Sequence, residues 1–182
     1  MKRTILTLAA ALSCAGTCAA TATAHTANFT EPANEKCFAV LPGTVSGVVG
    51  HPLPAAVGMY LAGPATTTDY NVASTTLTCT YGSGTVASIK KQVIISEETL
   101  SRSLSAADMQ KLLALQQNPA ENIKVVPYAG LGGAAYYVTS SDATIHVASI
   151  FTVSGRKIYG ATVYINLAQS KLAKLAKLAK RL

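Results

Sequence analysis

Several groups of residues have the types and spacing to carry chemistry. Gly130, Leu131, Gly132, Gly133, Ala134 and Ala135 fit the letters G-x-G-x-x-A. A dinucleotide site on that motif needs a strand before it and a helix after it, so that the helix N-terminus holds the pyrophosphate. Here Tyr136, Tyr137, Val138 and Thr139 follow, a strand-like run. The glycines therefore read as a tight approach into a strand. Beyond the first two dozen residues the histidines are His25, His51 and His146, and no two share a ligand-like spacing. A hydrolytic dyad or triad assembles in space rather than in sequence, so such a site remains open to the fold. Glu97 and Glu98 would make a carboxylate pair, but neighbours on a strand point to opposite faces, and the pair reads as a solvated strand end. No cofactor motif and no metal-ligand spacing is present, and no catalytic residue is assigned.

The N-terminus has the pattern of an export signal. Lys2 and Arg3 form a positive region, Ile5 to about Ala15 is apolar, and a small-residue run ends in Ala22-Thr23-Ala24. Signal peptidase accepts the small-x-small shape, which places cleavage near Ala24, with Ala20-Thr21-Ala22 as second choice. The apolar stretch is shorter than the roughly 20 residues needed to span a bilayer. A bacterial lipobox wants a large aliphatic residue three positions before the cysteine; Ala11 and Ala15 stand there for Cys14 and Cys18.

Two cysteines, Cys37 and Cys79, lie beyond the leader. An even pair in an exported chain reads as a disulfide. Closing that loop stabilises by roughly 4 kcal/mol on the chain-entropy model.

The charge is just as uneven along the chain. The formal net charge is +7, from 15 basic and 8 acidic residues. Lys2 and Arg3 leave with the leader, and Lys171, Lys174, Lys177, Lys180 and Arg181 crowd the last dozen positions. Between His25 and Ser170 the remaining eight basic residues balance eight acidic ones. The basicity is thus a leader and a tail, and no nucleic-acid footprint is expected.

The tail reads Lys-Leu-Ala three times, then Lys-Arg-Leu. On a helix of 3.6 residues per turn, Leu172, Leu175, Leu178 and Leu182 fall within an arc of roughly 120°. Two readings stand. In one, this is the last helix of the domain, with leucines on a sheet and lysines in water. In the other, Lys171, Leu172, Lys174, Leu175, Lys177, Leu178, Lys180 and Arg181 contact an anionic membrane surface, much as designed Lys/Leu/Ala lytic peptides do.

The elements that must position these residues follow from periodicity. A composition of 49% hydrophobic and 13% charged residues excludes a disordered chain, and no heptad or Gly-X-Y period is present. Residues 25–36 read as a flexible lead-in. Pro42 opens and Gly50 closes a short helix. A proline- and glycine-rich loop over 51–70 holds a short strand around Met59–Leu61. Thr76 to Tyr81 alternates, with Leu77, Cys79 and Tyr81 inward. A Gly-Ser-Gly turn leads into a second strand over Thr85–Ser96, forming a hairpin. Ser105 and Asp108 make a capping box, with Leu104 and Met109 as its hydrophobic staple, and Asn118-Pro119 stops the helix. Strands follow over Ala134–Thr139, Ile145–Val153 and Lys157–Ile165, then a helix over 166–182. The sum is a single α+β domain, 37–182: two layers, an antiparallel sheet of about five strands covered by about three helices, and one disulfide.

The chain also resembles small exported bacterial domains of unknown function, of the kind found among actinobacterial lipoproteins and kinase sensor ectodomains. The resemblance rests on a cysteine opening an apolar helix that ends at glycine (Cys37 to Gly50), the Cys-x-Tyr strand (Cys79, Tyr81), the Gly-Leu-Gly-x-Ala-x-Tyr segment (Gly130 to Tyr136) and the terminal amphipathic helix. It implies an envelope-facing domain that binds an unidentified ligand or protein and carries no established catalytic residues. The expected function is therefore an exported, secreted or periplasmic, non-catalytic binding domain. The alternatives are a membrane-surface protein acting through its C-terminal helix, and a hydrolase whose site is invisible in sequence.

Overall fold

The computed structural model of this chain describes residues 31–63, 72–82, 91–116, 122–141 and 146–182. The elements run α1 (Glu31–Cys37), α2 (Pro42–Val49), β1 (Val57–Gly63), β2 (Ser74–Tyr81), β3 (Val93–Leu100), α3 (Ala106–Gln116), β4 (Lys124–Pro127), a 3-10 turn (Ala129–Leu131), β5 (Ala134–Ser141), β6 (His146–Ser154), β7 (Lys157–Val163) and α4 (Gln169–Ala179). All these strands form one antiparallel sheet in the order β1-β2-β3-β7-β6-β5-β4. The α+β class, the antiparallel sheet and the disulfide match expectation; the counts do not, since there are seven strands and four helices among the described residues.

Three differences have physical causes. Residues 31–36, read as lead-in, belong to α1. At seven residues this helix is below the length that holds alone in water, and it depends on burying Ala33 and Cys37 against the sheet. Four-residue β4 is too short for an alternation to register in the sequence, and it exists by pairing with β5. Of the expected second strand over Thr85–Ser96, residues 85–90 lie outside the described ones, and the described strand runs on past Ser96, over Val93–Leu100. Its register starts at the Tyr81–Val93 pair and carries Glu97 and Glu98 inside the ladder. Lys91 precedes this strand and is exposed; residues 83–90, with most of the expected Gly-Ser-Gly turn, lie outside the described ones.

The layers also differ from a simple pair. A first core joins α1, α2 and α4 to one sheet face through Leu77, Cys79, Tyr81, Val93, Ile95, Ile150, Ala161 and Val163. A second gathers Val72, Leu100, Leu112, Val138, Phe151 and Ile158, with Met109 and Leu113 of α3 packed against it. Phe151 alternates with Ile150, so α3 covers the opposite face. Two layers therefore describe only the side of α1, α2 and α4.

Local chemistry fixes each junction. The Ser105 hydroxyl accepts from the Asp108 N–H at 3.1 Å while the Asp108 carboxylate accepts from the Ser105 N–H at 2.9 Å, the reciprocal capping box expected. The Arg102 guanidinium then holds the Asp108 carboxyl well below the usual carboxylate range, helped by the Ser105 bonds. Gly50 ends α2 in the left-handed conformation at φ 89°, as its position after the helix suggests. Tyr81 donates from its hydroxyl to the Val40 carbonyl at 2.7 Å, tying the α1–α2 turn to β2. Burial pushes that phenol up to about 12.

Gly58 sets how closely α1 lies on the sheet. A Cβ there would collide with the backbone carbonyl carbon and oxygen of Ala33. The Gly58 N–H donates to Asn34 Oδ1 at 2.7 Å, so the helix also satisfies part of the outer edge of β1.

Candidate docking surface

The most distinctive surface comes from α4. Its burial follows the three-residue repeat: each lysine is exposed and each Leu-Ala pair is buried. Leu172 and Leu175 have no exposed area and Leu178 keeps 8%, all in the first core. Burying each such side chain contributes about 1.5–3 kcal/mol. The repeat works because α4 lies on β7, β6 and β3, a broad sheet that accepts a wide apolar arc. The helix is shorter than the expected 166–182: Ala168 is extended, Leu167 packs in the core, and Arg181 closes onto Leu178 in a tight final turn.

Of the residues read as membrane contacts, the structure separates two sets. Leu172, Leu175 and Leu178 belong to the protein core and cannot enter lipid while the domain is folded, which corrects the reading that placed them there. Lys171, Lys174, Lys177, Lys180 and Arg181 are exposed, and among the described residues none forms an ion pair. Successive lysines step by about 4.5 Å along the axis and about 60° around it, so they fan out rather than line up. Lys180 reaches over the Tyr159 ring at 6.0 Å, where Lys157 approaches at 5.9 Å. Lys157 also pairs with Glu97 at 2.9 Å, which raises its pKa.

Cys37 and Cys79 form the disulfide, with sulfurs 1.95 Å apart and Cα atoms 5.6 Å apart. The glycine segment leads from the 3-10 turn into β5, with no helix after it, so the dinucleotide context is absent there. The groove beside it is lined by Pro127, Tyr128, Gly133, Ala134 and Tyr136 and presents no charged side chain. His51 faces the Lys91 carbonyl at 3.5 Å from the exit of α2, while His146 opens β6 opposite Ser141. His25 lies outside the described residues. Among the described residues no three His, Cys, Asp or Glu side chains gather as a metal site, and no helix is long and apolar enough to cross a membrane.

Glu97 and Glu98 do point to opposite faces, but Glu98 is not at a solvated end. It is 1% exposed, set opposite Thr76 on β2 and Ile158 on β7. Burial raises its pKa, and the Ser74 side chain nearby opposes that rise. The signal in the sequence is the stripe Ile94, Ser96, Glu98, Leu100, whose last member is core. Comparison with protein-family models, curated proteins and solved structures finds no match for this chain.

Proposed function

We propose that this chain is an exported, disulfide-stapled domain of the cell envelope or its exterior. It works by docking rather than by turnover, and its docking element is the outward side of α4. One observation carries the reading: Lys171, Lys174 and Lys177 on α4, with Lys180 and Arg181 just past its end, are exposed and without ion-pair partners among the described residues, while the apolar side of that helix is used up by the core. The body's charges otherwise balance between His25 and Ser170, so the field of the mature domain is concentrated at that helix. A surface of this kind attracts an acidic partner and speeds its encounter. Export is supported by the leader pattern and agrees with the Cys37–Cys79 bond.

The test has two parts. Mass spectrometry of the exported protein should give an N-terminus just after Ala24. The mature chain should then bind at least one of polyglutamate, polyphosphate or vesicles containing anionic lipid, in low salt. The variant K171Q/K174Q/K177Q should lose that binding with its circular dichroism unchanged. Binding to none of the three, or equal binding by the variant, rejects the reading.

A further inference from the structure

We infer that the acidic partner of α4 is the headgroup plane of an anionic lipid bilayer, met by charge alone without insertion. The inference rests on the docking reading above and commits it to one surface.

The fan of lysines favours a plane. Lys174 stands between Lys171 and Lys177, about 60° from each around the helix and about 4.5 Å from each along it. On a flat surface parallel to the axis, Lys174 points straight down, and Lys171 and Lys177 reach it from either side on their long stems. An acidic polymer lying along the helix would meet one of the three well and the others obliquely. The outer side of α4 also offers no aromatic ring: the helix reads QSKLAKLAKLA. Base stacking, which sustains single-stranded nucleic-acid binding, finds no ring on the helix itself, and the neighbouring Tyr159 ring on β7 is already approached by Lys157 and Lys180. Four of the five cations are lysines, compact hydrated charges suited to a diffuse surface potential rather than to bidentate grip on one phosphate.

The mode differs from that of an amphipathic anchor. An interfacial helix buries its apolar face in the acyl boundary. Here that face is filled: Leu172, Leu175, Ala176 and Ala179 have no exposed area. The domain therefore rests on the headgroups with α4 underneath and α3, on the other sheet face, turned away.

The experiment is co-sedimentation of the mature chain with vesicles of phosphatidylcholine alone and of phosphatidylcholine with phosphatidylglycerol, alongside titration with polyphosphate. Binding is expected only to the anionic vesicles. Each cation near such a surface is worth roughly a five-fold change in affinity, so K171Q/K174Q/K177Q should bind about 100-fold more weakly. Raising salt from about 0.05 M to about 0.5 M should release the protein, because screening then acts within a few ångströms. Binding to polyphosphate but not to anionic vesicles overturns this inference and leaves the docking reading intact. Binding to no acidic probe, polyglutamate included, overturns both. Vesicle binding that survives high salt, or that leaks a trapped dye, overturns the non-inserting mode.

Discussion

Thr76 and Glu98 face each other across the β2–β3 ladder, both buried, and among the described residues neither the Thr76 hydroxyl oxygen nor either Glu98 carboxyl oxygen has a hydrogen-bond partner within 3.5 Å and in line. An unpaired buried polar group costs about 1–3 kcal/mol, more when charged. The pair is thus a place where the sheet's stability depends on protonation.

Glu98→Gln should stabilise the protein at neutral pH and change the shape of its pH profile. The folded pKa of Glu98 lies above its ordinary value of 4.5 because burial disfavours the anion. Above that value the native state holds a proton that the unfolded state has released. Stability then falls as pH rises, by at most about 1.4 kcal/mol per pH unit, until the folded pKa is passed. Melting temperatures from about pH 4 to pH 8 should show the gap between variant and parent widening as pH rises. A gap that stays constant would mean that Glu98 ionises alike in both states.

The disulfide should hold the N-terminal layer to the sheet. Cys37 and Cys79 are 42 residues apart, so replacing both with serine should cost about 4 kcal/mol on the chain-entropy model. Urea unfolding of C37S/C79S against the oxidised parent checks the size. Alkylation of the unfolded, unreduced protein should find no free thiol at either position.

Two glycines should respond to alanine with opposite signs. Gly58→Ala drives a methyl into the Ala33 backbone and should cost about 1–3 kcal/mol or more. Asn34→Ala removes only the bond to the Gly58 N–H and should cost about 1 kcal/mol. Gly47 lies inside α2, and a methyl added there would meet nothing within 4 Å, so Gly47→Ala should stabilise by roughly 0.5–1 kcal/mol. Denaturant midpoints for the three variants test the order.

On α4, stability and docking should separate by position. Leu175→Ala leaves a hole in a fully buried site and should cost about 2–5 kcal/mol. Lys174→Gln should change the unfolding midpoint little, since surface substitutions usually stay within about 0.5 kcal/mol. A large loss of stability for Lys174→Gln would show that this lysine supports the fold.

The features legible in the sequence are those whose cause is local. The Ser105–Asp108 box, the inward run of Leu77, Cys79 and Tyr81, and the helix between Pro42 and Gly50 each carry their signal within a few residues. The cysteine pair is readable from the leader pattern and from parity. What escapes depends on partners far along the chain. Helix α1 needs the sheet beneath Ala33, β4 needs β5, and Glu98 lies between Thr76 of β2 and Ile158 of β7, strands distant from it in the chain. The lysines of the tail stand out in the sequence as a charged surface, while the fate of Leu172 and Leu175 requires knowing that β7 lies underneath.

Strand β7 occupies the middle of the sheet, with β3 on one side and β6 on the other, although it is the last of the described strands in chain order. Until it arrives, β1–β3 and β4–β6 are two separate ribbons with no ladder between them. A ribosome or a translocation channel therefore handles an unfinished sheet almost to Val163, and the keystone and its covering helix join it only after the other described strands have been made. Early stop codons or late proteolytic trimming should accordingly yield no half-sized native fragment, only chain for the quality-control proteases.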